Sequence, residues 1–126
     1  METERISTGA PWEDKVGYSR AIRKGNMVWV SGTAPVVEGK TVACGDAYGQ
    51  TIACLEIIKM ALEAAGARLE DVVRTRMFVT DISQWEAIGR AHGAYFRDIR
   101  PATTMVEVRA LIDPDMLVEI EAEAVI

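Results

Sequence analysis

The sequence is short of the residues that usually build a reactive centre. It has one histidine, His92, and two cysteines, Cys44 and Cys54. One imidazole and two separated thiols, with no C-x-x-C pair, cannot form a four-ligand zinc site, so no metal is expected. The cysteines read as reduced thiols with structural roles. Also absent are G-x-x-x-x-G-K-[ST], G-x-G-x-x-G and G-x-S-x-G, which removes the phosphate-cradling, dinucleotide-binding and nucleophile-elbow readings. Positive charge is scarce: 14 Lys and Arg face 19 Asp and Glu, for a net charge of −5. Such a chain has no basic field with which to release counterions from a phosphate backbone, so nucleic acid is not an expected partner. No apolar run approaches the roughly 20 residues that a bilayer requires, and METERISTGA lacks the basic start and apolar middle of a secretory signal. A cytoplasmic protein with no membrane partner is the expectation.

What is present suffices for one packed core. Nearly half of the 126 residues are hydrophobic, and residues 1–126 read as a single domain. MVWVSG (27–32) follows the turn pair Gly25-Asn26 and reads as a strand ending at a glycine. VVEGKTVA then places Glu38-Gly39 between β-branched pairs, as a hairpin does. From Asp46 to Ala65 the period changes: Thr51, Leu55, Ile58, Leu62 and Ala65 form one helical stripe, and Gly66 supplies the stop. VVRTRMFVT returns to period two. Ser83-Gln84-Trp85-Glu86 has the form of a capping box for a second helix, with Trp85, Ile88, His92 and Phe96 on its stripe and an end before Pro101. TTMVEVRAL and MLVEIEAEAVI complete the chain as strands around the turn residues Asp113-Pro114-Asp115. Strands, helix, strand, helix, strands is an α+β order.

Alternation sorts the strands into two faces. Arg74 and Arg76 share one side, as do Glu107 with Arg109, and Glu119 with Glu121 and Glu123. Met77, Val79, Val106, Val108, Val118 and Ile120 fall opposite and are expected to pack on the two helices. The mixed-sign face is either a solvated surface or a surface between subunits.

Chemistry then has few places to sit: Tyr18 and Arg20 in GYSRA, Ser31 in VSGTAP, the segment RPATTMVEV and the carboxylates of VEIEAEA. His92 lies on an apolar stripe and reads as a packing residue. Taken in order, GYSRAIRKGNMVWVSGTAP, the helix ending AAGA, VRTRMFVTDI, RPATTMVEV and VEIEAEAV resemble the YjgF or Rid family, the reactive intermediate deaminases also named for L-PSP endoribonuclease. The resemblance implies a chorismate-mutase-like subunit, a mainly antiparallel sheet with two helices on one face. It further implies a homotrimer whose polar sheet faces turn inward, with small-molecule clefts between subunits. Its deaminase members hydrolyse enamines and imines such as 2-aminoacrylate without metal or organic cofactor.

Carried over by position, the family tyrosine matches Tyr18, its serine Ser31 and its late glutamate Glu121. Tyr18 and Glu121 are thus the implied catalytic residues, and Ser31 joins them in the pocket. The substrate-clamping arginine of a P-A-R-S-C-type segment falls on Thr103, the following cysteine on Met105, and a helix asparagine on Gly89. A guanidinium offers a carboxylate two charged donors where threonine offers one neutral hydroxyl. Losing two charged hydrogen bonds of ~1.5 to 3 kcal/mol each removes ~3 to 6 kcal/mol, a factor of at least about a hundred. Arg20, two residues from Tyr18 and on the same side of an extended segment, is the candidate replacement clamp; the alternative is an ion pair with one of the glutamates. Two functions remain open: a hydrolase acting on an imine, enamine or related metabolite, and a trimer that binds a metabolite for regulation. Ribonuclease activity, suggested by the family's older name, is opposed by the acidic charge and the lack of a histidine pair.

Overall fold

The computed structural model describes residues 2–126. In chain order the elements are β1 (Thr3–Ile6), α1 (Pro11–Val16), β2 (Ala21–Lys24), β3 (Met27–Thr33), β4 (Val36–Val37), β5 (Lys40–Thr41), α2 (Ala47–Ala64), β6 (Val72–Val79), α3 (Trp85–Phe96), β7 (Ala102–Glu107) and β8 (Val118–Val125). Six strands form one sheet in the order β1-β2-β3-β8-β6-β7, and β4 and β5 form a separate hairpin. The sheet is antiparallel except where β6 and β7 run parallel. A parallel pair needs a crossover, and α3 supplies it. This is the α+β architecture that the strand and helix order implied, and the mainly antiparallel sheet agrees with the fold that the family resemblance implied.

The long helix forms as its period predicts. Asp46 caps it, accepting from the Gly49 amide at 2.9 Å. Gly66, at φ +85°, turns the chain out of the helix. Leu55, Ile58 and Leu62 are fully buried and pack in one core with Val28, Met77, Val79, Val118 and Ile120 from the sheet. Gln50 ties the helix to the approach of β8: its amide donates to the Asp115 carbonyl at 2.8 Å and accepts from the Leu117 amide at 2.7 Å. The tyrosine hydroxyl of Tyr95 donates to Glu56 and joins α3 to α2. In the β4–β5 hairpin, Glu38 and Gly39 both have positive φ, 53° and 77°, the turn that matches strand twist.

Three expectations are corrected. Ser83 does not cap α3; its hydroxyl donates to Asp81 at 2.6 Å, and Asp81 also accepts from the Ser83 amide at 3.0 Å. A carboxylate two residues away competes successfully for that hydroxyl. Trp85 is 56% exposed and leaves the buried stripe. The strand begun at Ala102 ends at Glu107, and its faces are reversed: Val106 pairs with Phe78 on the outer face, whereas Glu107 pairs with Val79. Glu107 accepts the Ile82 amide at 2.9 Å at the turn leading into α3, a role that requires it on the helix side.

Candidate functional site

The outer face of the sheet carries a cleft where β3 meets β8. Val30 pairs with Ala122, but Thr33 pairs with Ile120, so Ser31 and Gly32 together oppose Glu121 in a β-bulge. Bulges redirect side chains and expose backbone. Here the parity of β3 flips: Val28 and Val30 face the core before the bulge, and Thr33, fully buried, faces it afterwards. The Ser31 hydroxyl donates to the Ser19 carbonyl at 2.6 Å. Arg20 secures the other side, donating from Nη2 to the Gly32 carbonyl at 2.6 Å.

An open cleft of about 240 Å³ lies against this bulge, lined by Ile22, Trp29, Ser31, Arg76, Glu121 and Glu123. Arg76 on β6 pairs with both glutamates, at 3.2 Å to Glu121 and 3.5 Å to Glu123. All three side chains keep about a third of their surface in solvent, so each pair contributes only ~0 to 1 kcal/mol. Tyr18 lines an adjoining depression with Ser19 and Glu13, and Ile22 borders both. The Arg20 guanidinium lies 5.6 Å from the centre of the Tyr18 ring. It is 8% exposed, and its Nε has no hydrogen-bond partner among the described residues. Tyr18, Arg20, Ser31 and Glu121 are therefore gathered around the β3 bulge.

Thr103 and Met105 are elsewhere in the subunit. They lie on β7, beyond β6, and face the helix layer, where Thr103 pairs with buried Thr75 and Met105 with Met77. The Thr103 hydroxyl is 2.7 Å from that of Thr75 and 3.2 Å from the Pro101 carbonyl. The outer face of β7 presents Thr104 instead, whose hydroxyl accepts from Arg74 at 3.0 Å.

Sequence reasoning counted Glu119 among the carboxylates of VEIEAEA but gave it no role of its own. It shares the outer face with Glu121, and its carboxylate rests on the bare backbone of Gly32: a Cβ there would lie 2.6 Å from Glu119 Oε2. Burial pushes its pKa above the ordinary carboxylate value; Arg20 opposes the shift and Glu121 adds to it. Glu13 shows the contrasting case, for there burial is outweighed by hydrogen bonds from Thr8 and Ser7 together with Arg20, and the pKa falls. A glycine inside a strand pattern was the available signal for the bulge, and so for the carboxylate over it. Among the described residues, no group of three or more His, Cys, Asp or Glu converges as a cation requires, and no helix is long and apolar enough to cross a membrane.

The chain and its fold as a whole have parallels among known proteins. A model of the family described as Endoribonuclease L-PSP matches residues 10–126. The crystal structure of Rv2704 from Mycobacterium tuberculosis, described as a member of the YjgF/YER057c/UK114 family, is 48% identical and superposes with a TM-score of 0.91, covering 99% of this chain and 100% of that one. The YjgF gene product of E. coli is 32% identical with a TM-score of 0.80, covering 96% and 92%. The 3-aminoacrylate deaminase RutC of Acinetobacter baylyi is 40% identical over 108 residues, 85% of each chain. With the family model spanning nearly its whole length and relatives of this similarity, the chain belongs to the YjgF/YER057c/UK114 family, the Endoribonuclease L-PSP family of the matching model.

Proposed function

We propose that this protein hydrolyses the C=N bond of a small imine, reached from an enamine by carbon protonation, releasing a carbonyl compound and ammonia. The reading rests on one observation above others: a half-buried carboxylate, Glu119, whose pKa burial raises, on the same face of β8 as Glu121 and Glu123, which line the open cleft. A base of raised pKa serves water attack near neutral pH. Water oxygen bonds to the carbon of the N-protonated imine that carbon protonation yields, the C=N π electrons move to nitrogen, and the carboxylate takes one water proton, giving a neutral carbinolamine. The carboxylic acid returns that proton to nitrogen; the carboxylate then takes the hydroxyl proton as the C=O bond forms and the C–N bond breaks, releasing ammonia, which carries that proton away as ammonium. No cofactor is required. The similarity to a protein named 3-aminoacrylate deaminase agrees with this chemistry.

In this reading Glu119 and Glu121 form a working pair. Glu121, anchored by Arg76, holds the water or the substrate nitrogen, while Glu119 carries the proton. Tyr18 and Ser31 shape the wall, and Arg20 offsets the glutamate charge from its buried position. Thr103 and Met105 enter the cleft from the edge strand of a second copy, in a cytoplasmic homotrimer whose sheet faces meet. Assembly of this kind also covers the exposed Trp29 and Val106 on the outer face.

The second reading is a metabolite-binding or regulatory trimer. It is favoured by Thr103, whose hydroxyl is already engaged by Thr75 and Pro101 where the family resemblance implies a charged clamp. A ribonuclease reading is weaker, since the single histidine is bonded to a threonine hydroxyl.

The deciding experiment is ammonia release from freshly generated 2-aminoacrylate and 3-aminoacrylate by the parent, Glu119→Gln and Glu121→Gln. A loss of ~10² to 10⁴ is expected for the variant that lacks the general base. Loss at Glu119 with modest change at Glu121 supports the assignment; the reverse moves the base to the ion-paired Glu121. Absence of ammonia from the parent with both acids and with the uncharged 2-aminoacrylamide, with the carbonyl product still bound, selects the binding reading.

A further inference from the structure

Thr75 sits in the middle of β6 and is fully buried, yet its hydroxyl bonds no backbone carbonyl of its own strand. It lies 2.9 Å from Nε2 of His92 on α3 and 2.7 Å from the hydroxyl of Thr103 on β7. Thr103 is exposed and reaches the Pro101 carbonyl at 3.2 Å. The three side chains make a line of hydrogen bonds from the helix–sheet interface to the surface of the edge strand. The His92 ring is kept in place by Phe96, with centroids 4.6 Å apart.

Each hydroxyl has one proton, so the line has two directions. With Nε2 protonated, His92 donates to Thr75, Thr75 to Thr103, and Thr103 to the Pro101 carbonyl or to a ligand. With Nδ1 protonated instead, Thr103 donates to Thr75 and Thr75 to Nε2, which leaves Thr103 presenting only lone pairs outward. Burial lowers the His92 pKa, which keeps the ring neutral and both tautomers available.

We propose that His92 and Thr75 are positioning residues for Thr103, making its hydroxyl a two-way hydrogen-bond group that selects ligands with an uncharged polar end, such as a carboxamide or ester carbonyl, over ligands with a carboxylate there. The location of the ligand rests on the proposed function; the relay does not. A carboxylate is recognised by charge-assisted donors, and this line holds only neutral groups, at most one of which donates outward. An amide carries both donor and acceptor and is matched by either direction of the line.

Two measurements test this in the full chain. His92 is the only histidine, so one pair of ring ¹⁵N resonances reports its tautomer directly. Thr103→Val removes the outer acceptor, and Thr75 must then donate to Nε2, so the ring is expected to shift toward the Nδ1–H form. Thr75→Val should make the ring indifferent to position 103, and Thr75→Ser should restore the response. A ring whose tautomer ignores Thr103→Val while Thr75 is present overturns the relay. In the second measurement, calorimetry with pyruvamide and pyruvate should give a preference for pyruvamide on the order of tenfold. That preference should vanish in Thr75→Val and persist in Thr75→Ser. A preference for pyruvate, or no binding of pyruvamide, overturns the selectivity. The resonance measurement does not depend on catalysis, so a protein that releases no ammonia leaves its result intact, and a failed relay leaves ammonia release standing.

Discussion

Alanine at position 32 would separate the chemistry of Glu119 from the stability of the fold. The new Cβ would stand 2.6 Å from Glu119 Oε2 and 3.2 Å from its carboxyl carbon. Ordinary contact begins near 3.4 Å, so the carboxylate must withdraw by about 0.8 Å. It can do so, because the clashing atoms are the end of a flexible side chain that is half in solvent. The Gly32 carbonyl still accepts from Arg20, and the backbone is not in the left-handed region. Alanine also restricts the unfolded chain, a gain of ~0.4 to 1 kcal/mol where the native conformation allows it. Gly32→Ala should therefore leave stability within about 1 kcal/mol of the parent. A displacement approaching 1 Å at a group that must meet an attacking water costs ~10² in rate, about 2.7 kcal/mol of barrier. The assay pairs urea denaturation with ammonia release on the same preparation. Parent-like turnover by Gly32→Ala would remove Glu119 from the reaction, and a stability loss of several kcal/mol would show that the carboxylate is fixed and not yielding.

Three further outcomes are expected. Thr103→Arg supplies two charged donors and should tighten pyruvate binding by about a hundredfold or more, measured by calorimetry, with faster hydrolysis of 2-aminoacrylate. Glu119→Gln should stabilise the protein at pH 7 relative to the parent, with the difference disappearing below about pH 4.5 in urea melts: the folded pKa is raised, so the parent's folded state binds the extra proton, and its stability falls as pH rises through that value. Light scattering at micromolar concentration should return a particle of three 13.8 kDa chains; a stable monomer would leave Thr103 and Glu121 without a shared cleft.

The parts of the fold that could be read from sequence are those buried on one face only. α2 carries its stripe from Thr51 to Ala65 because one side meets the sheet and the other meets water, and β6 and β8 alternate for the same reason. β1, α1 and β2 gave no comparable signal. β1 is exposed along three of its four residues, and α1 buries only Glu13, so neither has an apolar rhythm to detect. β7 misled because it is an edge strand: Met105 leans on Met77 and the core, while Val106 stays 42% exposed. A valine-for-valine alternation does not say which side faces inward.

The candidate site was harder to read than the fold because pairing between distant strands decides it. Glu119, Glu121 and Glu123 are equivalent by alternation; what separates them is their partner across β3 or β6. Glu121 and Glu123 meet Arg76, and Glu119 meets a glycine backbone. Burial disfavours the charged form of the Glu119 carboxylate, so its neighbours across the sheet, and not its place in the alternation, mark it out. The bulge contributes to the difference, since Gly32 falls within it and leaves backbone without a side chain against the Glu119 carboxylate. One extra residue in β3, invisible to a search for period two, thus helps to turn one member of a solvated charge row into a carboxylate suited to carrying a proton.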